Sequence, residues 1–210
     1  MKLGLLLCLL CTTSAVAADS IVVGSKKFTE SYVLGEIAKT VLEHAGCTVE
    51  ERAGMGGTII LWQALSSGQI DLYPEYTGTI GEEILKTKRR LSENEMRVAL
   101  KKFGVGLSRE LGFNNTYALV MRRSEAKRFG IQTISDLRQH PELKAGLTHE
   151  FLDREDGWRP LTAAYGLTMP NVRGIDHALG YAALTNGSID LKDAYSTDAK
   201  IQENDLVVLR

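Results

Sequence analysis

The sequence of 210 residues is poor in the residue types that build metal centres and disulfide frameworks. It has three cysteines and four histidines, and it contains no H-E-x-x-H sequence, no paired C-x-x-C and no other metal-ligand spacing. A G-x-S-x-G elbow is absent as well, which leaves α/β-hydrolase chemistry without support. We therefore expect no metal, no cofactor and no enzyme activity. The alternative is an exported enzyme that uses His149 with Glu150 or Asp153.

The charges of the chain are balanced, with 25 basic and 26 acidic residues and a net charge of −1. This balance gives no electrostatic footprint for nucleic acid. The glycine-rich run 54–57 lacks the G-K-[ST] ending of a P-loop and the third glycine of a dinucleotide site, so a plain turn is favoured. No apolar run after the first ten residues is long enough to cross a membrane.

The N-terminus has the layout of a secretory signal peptide. Lys2 precedes the apolar run 3–10, and the small residues of 15–17 resemble an A-x-A cleavage site. The alternative is a buried N-terminal helix. We predict a signal peptide over residues 1–17 and a soluble, monomeric protein in the periplasm. Cys47 is then the only cysteine of the mature chain, which excludes an internal disulfide.

Strands and helices are predicted to alternate in both halves of the chain. Strands at 21–24, 48–52 and 70–73, separated by helices at 29–44 and 59–67, form the βαβαβ unit of a parallel sheet. In the first helix Thr29 is the expected N-cap, and the apolar stripe consists of Val33, Ile37 and Val41 with the adjacent Leu34, Ala38 and Leu42. The second half is predicted as α/β too, with helices at 93–103, 157–165 and 176–185, a short helix from Ser135, and strands at 116–121, 144–148, 171–174, 189–194 and 206–209.

A helix–glycine–strand–tyrosine pattern occurs twice. Residues 64–77 and 183–196 share A-L-x-x-G-x-I-D-L-x-x-x-Y-[ST], offset by 119 residues. Since ligands of open α/β sheets bind beyond the carboxyl ends of strands, Tyr76 and Tyr195 are candidates for the two walls of one cleft. The alternative is that helix–glycine–strand is a common local pattern and the repetition is coincidence.

Six segments, in order along the chain, resemble one protein family. They are G-S-K-K-F-T-E-S-Y-V-L-G-E (24–36), G-M-G-G-T (54–58), D-L-Y-P-E-Y-T-G-T (71–79), L-G-F-N-N-T-Y-A-L (111–119), H-E-F-L-D-R-E-D-G (149–157) and D-A-Y-S-T-D (193–198). The chain resembles the extracytoplasmic substrate-binding proteins of ABC transporters for glycine betaine, choline, carnitine and related osmoprotectants.

The resemblance implies a two-lobed α/β fold of the periplasmic-binding-protein type, with a ligand cleft between the lobes. Residues 18–107 are expected in lobe one and 108–195 in lobe two, and 196–210 are expected to return towards lobe one. Family members continue beyond this point, so the C-terminal part of lobe one, with a fourth cage tyrosine, is expected to be missing and the affinity weakened. The implied partners are a quaternary ammonium ligand and a permease with its ATPase.

The resemblance also implies a cage of tyrosines around the quaternary ammonium group, with polar groups for the rest of the ligand. Matched by motif, the site residues are the cage tyrosines Tyr76, Tyr117 and Tyr195, their neighbour Asn115, the tail-binding Thr79 and Ser31, and the cationic Lys26 and Arg154. Thr79 and the two cations favour a carboxylated ligand such as glycine betaine slightly over choline. A rival ligand is another small polar solute.

Each of these assignments has an alternative. The three tyrosines could pack at the lobe interface, and Arg154 could pair with Glu150, Asp153 or Asp156 on a solvated turn. Lys27 could replace Lys26 in the site. Tyr73 is expected to pack inside lobe one.

Overall fold

A computed structural model describes residues 20–210 of the chain, and the predicted signal peptide lies outside the described residues. The strands in the described part are β1 Ile21–Gly24, β2 Val49–Arg52, β3 Tyr117–Arg122, β4 Ala145–Leu147, β5 Val172–Gly174, β6 Leu191–Tyr195 and β7 Leu206–Val208. The α-helices are α1 Thr29–His44, α2 Thr58–Ser66, α3 Thr77–Thr79, α4 Glu93–Lys101, α5 Arg123–Phe129, α6 His149–Asp153, α7 Trp158–Tyr165, α8 His177–Thr185 and α9 Lys200–Glu203. A π-helix, Ile80–Ile84, continues α3, and a 3-10 helix covers Ile134–Gln139.

The first sheet is built from β1 and β2, which pair in parallel from Ile21 opposite Val49 onwards. The third strand predicted at 70–73 is reduced to a single parallel bridge between Val23 and Leu72. Pro74 follows closely and has no N–H to continue the pairing. The βαβαβ order is therefore confirmed, with a shorter last strand than the sequence predicted.

The second sheet has five strands in the order β5-β4-β6-β3-β7. Its strands β4, β5 and β6 run parallel, while β3 is antiparallel to both β6 and β7. The predicted strands of this half are found within two residues of their expected ends. Residues 196–210, which were expected to return towards lobe one, instead remain on this sheet, because β7 pairs with β3 from Val120 opposite Val208 to Arg122 opposite Leu206.

The two sheets and their helices form two lobes with separate cores. In the second lobe, apolar clusters cover both faces of the sheet, one around Met121 and Leu147 and the other around Leu184 and Ile189. In the first lobe, a small cluster around Leu61 holds α2 against the sheet. Tyr73 packs against that cluster, as predicted.

The apolar stripe of helix α1 is only partly covered, with Leu34, Ala38 and Leu42 half-buried. Val33, Ile37 and Val41 are 53%, 53% and 62% exposed, whereas Ser31 and Gly35 are buried. A Cβ atom at Gly35 would lie 3.3 Å from the Cβ atom of Ser25, so small residues on this face allow the helix to approach β1 closely. Close backbone packing, rather than a large apolar stripe, positions this helix.

Several local predictions are corrected at helix starts. The N-caps of α1 and α2 are Phe28 and Gly57, and neither makes a side-chain cap hydrogen bond, so Thr29 and Thr58 are the first helical residues. Five short helical segments were not predicted, namely α3, α5, α6, α9 and the π-helix, since each is short and has no long apolar periodicity. The repeated glycines Gly68 and Gly187 both adopt positive φ, +72° and +79°, where each ends a helix, which is the physical basis of the repeated pattern.

Candidate functional site

The cleft between the lobes collects most of the residues that the sequence analysis selected. Seven of the eight predicted site residues line it: Lys26, Tyr76, Thr79, Asn115, Tyr117, Arg154 and Tyr195. The eighth, Ser31, does not line it. Its buried hydroxyl oxygen accepts a hydrogen bond of 2.8 Å from the backbone N–H of Lys26. Ser31 therefore shapes the loop that carries Lys26 instead of facing a ligand.

Aromatic rings from four segments of the chain meet in the cleft. Tyr117 and Tyr195 are directly opposite each other on β3 and β6, which brings their ring centroids to 5.3 Å. Phe28, which the sequence analysis did not select, lies 4.7 Å from the Tyr195 ring and 6.3 Å from the Tyr76 ring. In the sequence it follows two lysines and precedes a threonine, in K-K-F-T. The only indication of a role in the cleft was a large apolar side chain in an otherwise polar turn.

The phenol groups of the cleft stay protonated. Burial raises the pKa of Tyr76, Tyr117 and Tyr195 above the ordinary tyrosine value, and the hydrogen bond to Glu30 raises that of Tyr76 further. The Tyr76 hydroxyl donates to Glu30 Oε1, and Asn115 Nδ2 donates to the same oxygen at 2.8 Å. Asn115 therefore supports Tyr76 through Glu30, a partner that the sequence analysis missed.

Lys26 is the cleft lysine, because its neighbour Lys27 points to the surface. The Lys26 ammonium group is buried and donates to Glu75 Oε1 at 2.6 Å and to Thr58 Oγ1 at 2.9 Å. The Thr58 hydroxyl in turn donates to Glu150 Oε1 at 2.6 Å, which links the lobes across the cleft. The exposed Lys27 pairs with Asp176 at 2.9 Å, a contact that also joins the two lobes.

Arg154 has one firm partner among the three that the sequence left open. Its Nε and Nη2 atoms donate to the two oxygens of Asp156, both at 2.7 Å. Burial opposes the charge of Arg154, but the hydrogen bonds and charge of Asp156 outweigh it and raise the guanidinium pKa. The remaining Nη1 lies 3.4 Å from Thr79 Oγ1, and the guanidinium carbon lies 5.4 Å from the centroid of the Tyr117 ring. Two hydrogen-bond donors, Arg154 Nη1 and the Thr79 hydroxyl, therefore lie close together near the Tyr117 ring.

A buried polar network supports the Tyr195 wall of the cleft from behind. The His177 ring stacks on the Tyr195 ring at a centroid distance of 4.5 Å. One oxygen of Asp198 accepts hydrogen bonds from His177 Nε2 at 3.0 Å, from the Tyr181 hydroxyl at 2.5 Å and from the Tyr195 backbone N–H at 2.9 Å. The fully buried Lys192 lies with its Nζ atom 3.4 Å from His177 Nδ1. Nothing in the sequence pattern indicated this network.

His149 and Glu150, two residues of the rival site, contact different neighbours. The His149 ring lies against Gly174, where an added Cβ atom would approach within 2.4 Å, whereas Glu150 is engaged by Thr58 across the cleft. Within residues 20–210, no group of three or more His, Cys, Asp or Glu side chains is arranged to hold a metal ion. Over the same residues, no helix has the length and apolar character needed to cross a membrane.

Two known transport proteins are similar in sequence to this chain. It is 35% identical over 202 residues to the ergothioneine transport permease/ergothioneine binding protein EgtU of Helicobacter pylori (strain G27), which covers 94% of this chain and 36% of that protein. It is 32% identical over 201 residues to the carnitine transport binding protein OpuCC of Listeria monocytogenes serotype 1/2a (strain 10403S), which covers 91% of this chain and 65% of that protein. The chain thus spans less than two thirds of the length of each of these relatives.

A solved structure supports the fold. The crystal structure described as a glycine betaine/carnitine/choline ABC transporter is 26% identical to the chain, with a TM-score of 0.64, over 91% of this chain and 74% of that one. The likeness confirms the predicted two-lobed α/β fold of periplasmic binding proteins with a cleft between the lobes. Residues 19–210 match the OpuAC family model, described as the substrate binding domain of ABC-type glycine betaine transport system. With nearly the whole described chain matched, the protein belongs to the OpuAC family of substrate-binding domains.

Proposed function

We propose that this chain is the solute-binding component of an ABC importer, and that it holds a quaternary ammonium osmoprotectant of the glycine betaine, choline or carnitine type in an aromatic cage. The observation that carries the proposal is the convergence of Tyr76, Tyr117 and Tyr195, with Phe28 between them, from three distant segments. The names of the relatives, which are transport and binding proteins, point to the same role.

The chemistry of the ligand class matches these residue types. A quaternary ammonium group has no N–H, so hydrogen bonds cannot recognise its charge. Its diffuse positive charge is attracted to the faces of aromatic rings, at about 0.5–2 kcal/mol for each ring. The carboxylate of Glu30, behind Tyr76, adds negative potential on the same side of the cleft.

The polar tail of a betaine would bind where two donors converge. Arg154 Nη1 and the Thr79 hydroxyl lie 3.4 Å apart, and one carboxylate could accept a hydrogen bond from each. Because Asp156 already neutralises much of the Arg154 charge, we expect this contact to orient the carboxylate more than to drive binding.

Closure of the lobes is the transport signal in this proposal. The contacts Thr58–Glu150 and Arg154–Thr79 join the lobes across the cleft, and a ligand between the rings would add to them. A ligand that touches both lobes stabilises the closed state over the open one, which a permease with its ATPase can then recognise. The protein would act in the periplasm as a monomer, without catalysis.

Calorimetry with glycine betaine, choline, carnitine and proline betaine tests the ligand class. We expect a saturable heat with at least one of them. The affinity for that ligand should fall at least about tenfold in Tyr117→Ala and in Tyr195→Ala, because each variant loses one cation–π contact and the apolar contact area of one ring. Tyr32→Ala, at a tyrosine that is 37% exposed and outside the cleft lining, is the matched control and should bind as the wild type does.

A second ligand distinguishes the proposal from its rival, a binding protein for another small polar solute. The neutral tert-butyl analogue of choline has the same shape without the charge. If the cage recognises the cation, choline binds and the analogue binds at least about tenfold more weakly. No heat with any quaternary ammonium compound would refute the proposal.

A further inference from the structure

Glu75 is a buried acid in the cleft, and only one of its two carboxylate oxygens accepts hydrogen bonds. Its side chain is 7% exposed and lines the cleft next to Tyr76. Both of its donors reach the same oxygen: Lys26 Nζ lies 2.6 Å from Oε1, and the Tyr76 backbone N–H lies 2.8 Å from it. The arrangement fixes the carboxylate in one orientation.

The other oxygen, Oε2, is buried without a hydrogen-bond partner among the described residues. Tyr73 is its neighbour: burial, then the charge of Glu75, then a side-chain hydrogen-bonding interaction with Glu75 raise the pKa of the Tyr73 hydroxyl. At Oε2, however, the Tyr73 hydroxyl does not reach the distance and angle of a formed hydrogen bond. An unpaired oxygen of a buried carboxylate is unfavourable, and a hydrogen bond to a charged acceptor is among the stronger kinds. A ligand that donated a hydrogen bond to Oε2 would therefore bind more tightly.

Glu75 differs from the other acids near the rings in the burial of its free oxygen. Glu30 and Glu150 also accept hydrogen bonds on one oxygen each, from Tyr76 and Asn115 and from Thr58, but their second oxygens are not buried without a partner. The one further buried, unpartnered carboxylate oxygen in the described chain belongs to Glu83, on the π-helix, and that side chain does not line the cleft. Within residues 20–210, Glu75 alone combines a buried, unpartnered oxygen with a place in the cleft beside the aromatic rings.

We propose that Glu75 Oε2 accepts a hydrogen bond from a hydroxyl or N–H group of the ligand, and that the site therefore prefers quaternary ammonium compounds that carry such a donor. The inference rests on the proposed function and narrows it. Carnitine and choline each have a hydroxyl group, whereas glycine betaine and proline betaine have no donor. Glu75 is then a specificity-determining residue, and its pairing with Lys26 holds the carboxylate in the orientation that the ligand meets.

A pair of ligands that differ by one hydroxyl group tests this inference. γ-Butyrobetaine is carnitine without its hydroxyl, and both keep the trimethylammonium and carboxylate groups. We expect calorimetry to show that the wild type binds carnitine at least about tenfold more tightly than γ-butyrobetaine. In Glu75→Gln the amide oxygen still accepts from Lys26 and Tyr76, but the NH₂ group that replaces Oε2 can only donate a weaker, uncharged hydrogen bond to the hydroxyl oxygen, so the ratio should fall well below that of the wild type.

The matched control is Glu83→Gln, which alters the same residue type and the same kind of free oxygen outside the cleft. It should keep the carnitine preference of the wild type, even if both affinities shift together. Equal binding of the two ligands by the wild type would overturn the inference and leave the proposed function standing. Binding of neither would overturn the inference, and it would overturn the proposed function only if glycine betaine, choline and proline betaine failed to bind as well. Since the ratio in the wild type is decisive by itself, a Glu75→Gln variant that fails to fold does not remove the test.

Discussion

Replacement of Asp198 by alanine removes the acceptor that three donors share behind the cage. The Asp198 side chain is 7% exposed, and its Oδ2 atom accepts from His177, Tyr181 and the Tyr195 backbone. A hydrogen bond to a charged group is worth about 1.5–3 kcal/mol, but three bonds on one oxygen do not add in full. We expect a loss of about 3–5 kcal/mol in the free energy of unfolding, the range for breaking a buried charged contact.

The pH dependence of this loss follows from the direction of the pKa shift. Burial alone would raise the Asp198 pKa, but the hydrogen bonds and charge of His177 and the hydrogen bond from Tyr181 outweigh it and hold the pKa below the ordinary value. A carboxyl group with a lower pKa in the folded state contributes its full stability above the unfolded pKa of about 3.9, and the contribution disappears as the pH falls through the folded pKa. The difference between wild type and Asp198→Ala should therefore shrink below about pH 4.

Urea and thermal unfolding followed by circular dichroism measure both effects. At about 2–4 °C for each kcal/mol in a chain of this size, the melting temperature at neutral pH should fall by roughly 6–20 °C. Glu203→Ala is the control, because that acid is 55% exposed on the neighbouring α9 and pairs only with Lys200, so its loss should stay under about 1 kcal/mol. An Asp198→Ala loss no larger than that of the control would refute the assigned role of the network.

Two further predictions concern stability and titration. Gly157→Ala should destabilise the fold by about 1–3 kcal/mol or more in urea unfolding, because the added Cβ atom would lie 2.0 Å from the backbone oxygen of Phe151, whereas Gly106→Ala, with no atom within 4 Å, should be near neutral. The Glu95 carboxyl should titrate near pH 2 in an NMR titration, since hydrogen bonds from Arg89 and from the start of α4 hold its pKa at about 2, and Arg89→Ala should move that pKa back towards 4.5. An unchanged pKa in Arg89→Ala would contradict this assignment of the cause.

The sequence alone predicted much of the local structure and the pair of facing tyrosines. The alternation of short β-branched runs with apolar periodic segments predicted the strands of the second sheet nearly to their ends. The repeated pattern that ends in Tyr76 and Tyr195 predicted that both would line one cleft, and both do. These features depend on neighbours within one turn or one strand, which a single sequence displays directly.

The structure corrected predictions that depended on which face a segment turns to its neighbours. The stripe of Val33, Ile37 and Val41 satisfies helical periodicity, yet the sheet is met by Ser31 and Gly35, because their small size permits a close approach. The spacing of apolar residues does not indicate where the backbones of a helix and a strand can approach each other closely. The last strand, predicted correctly in position, was assigned to the wrong lobe for a similar reason, since strand pairing is a long-range choice.

What the sequence determined by itself is the strands and the longer helices, the family motifs, and the tyrosines that the motifs carry. Only the tertiary structure decided which charges pair: Lys26 with Glu75, and Arg154 with Asp156. It also placed Phe28 between the tyrosines. The physical reason is that ion pairs and ring contacts act over a few ångströms between residues as much as 167 positions apart, as for Phe28 and Tyr195, and a local pattern does not encode those distances.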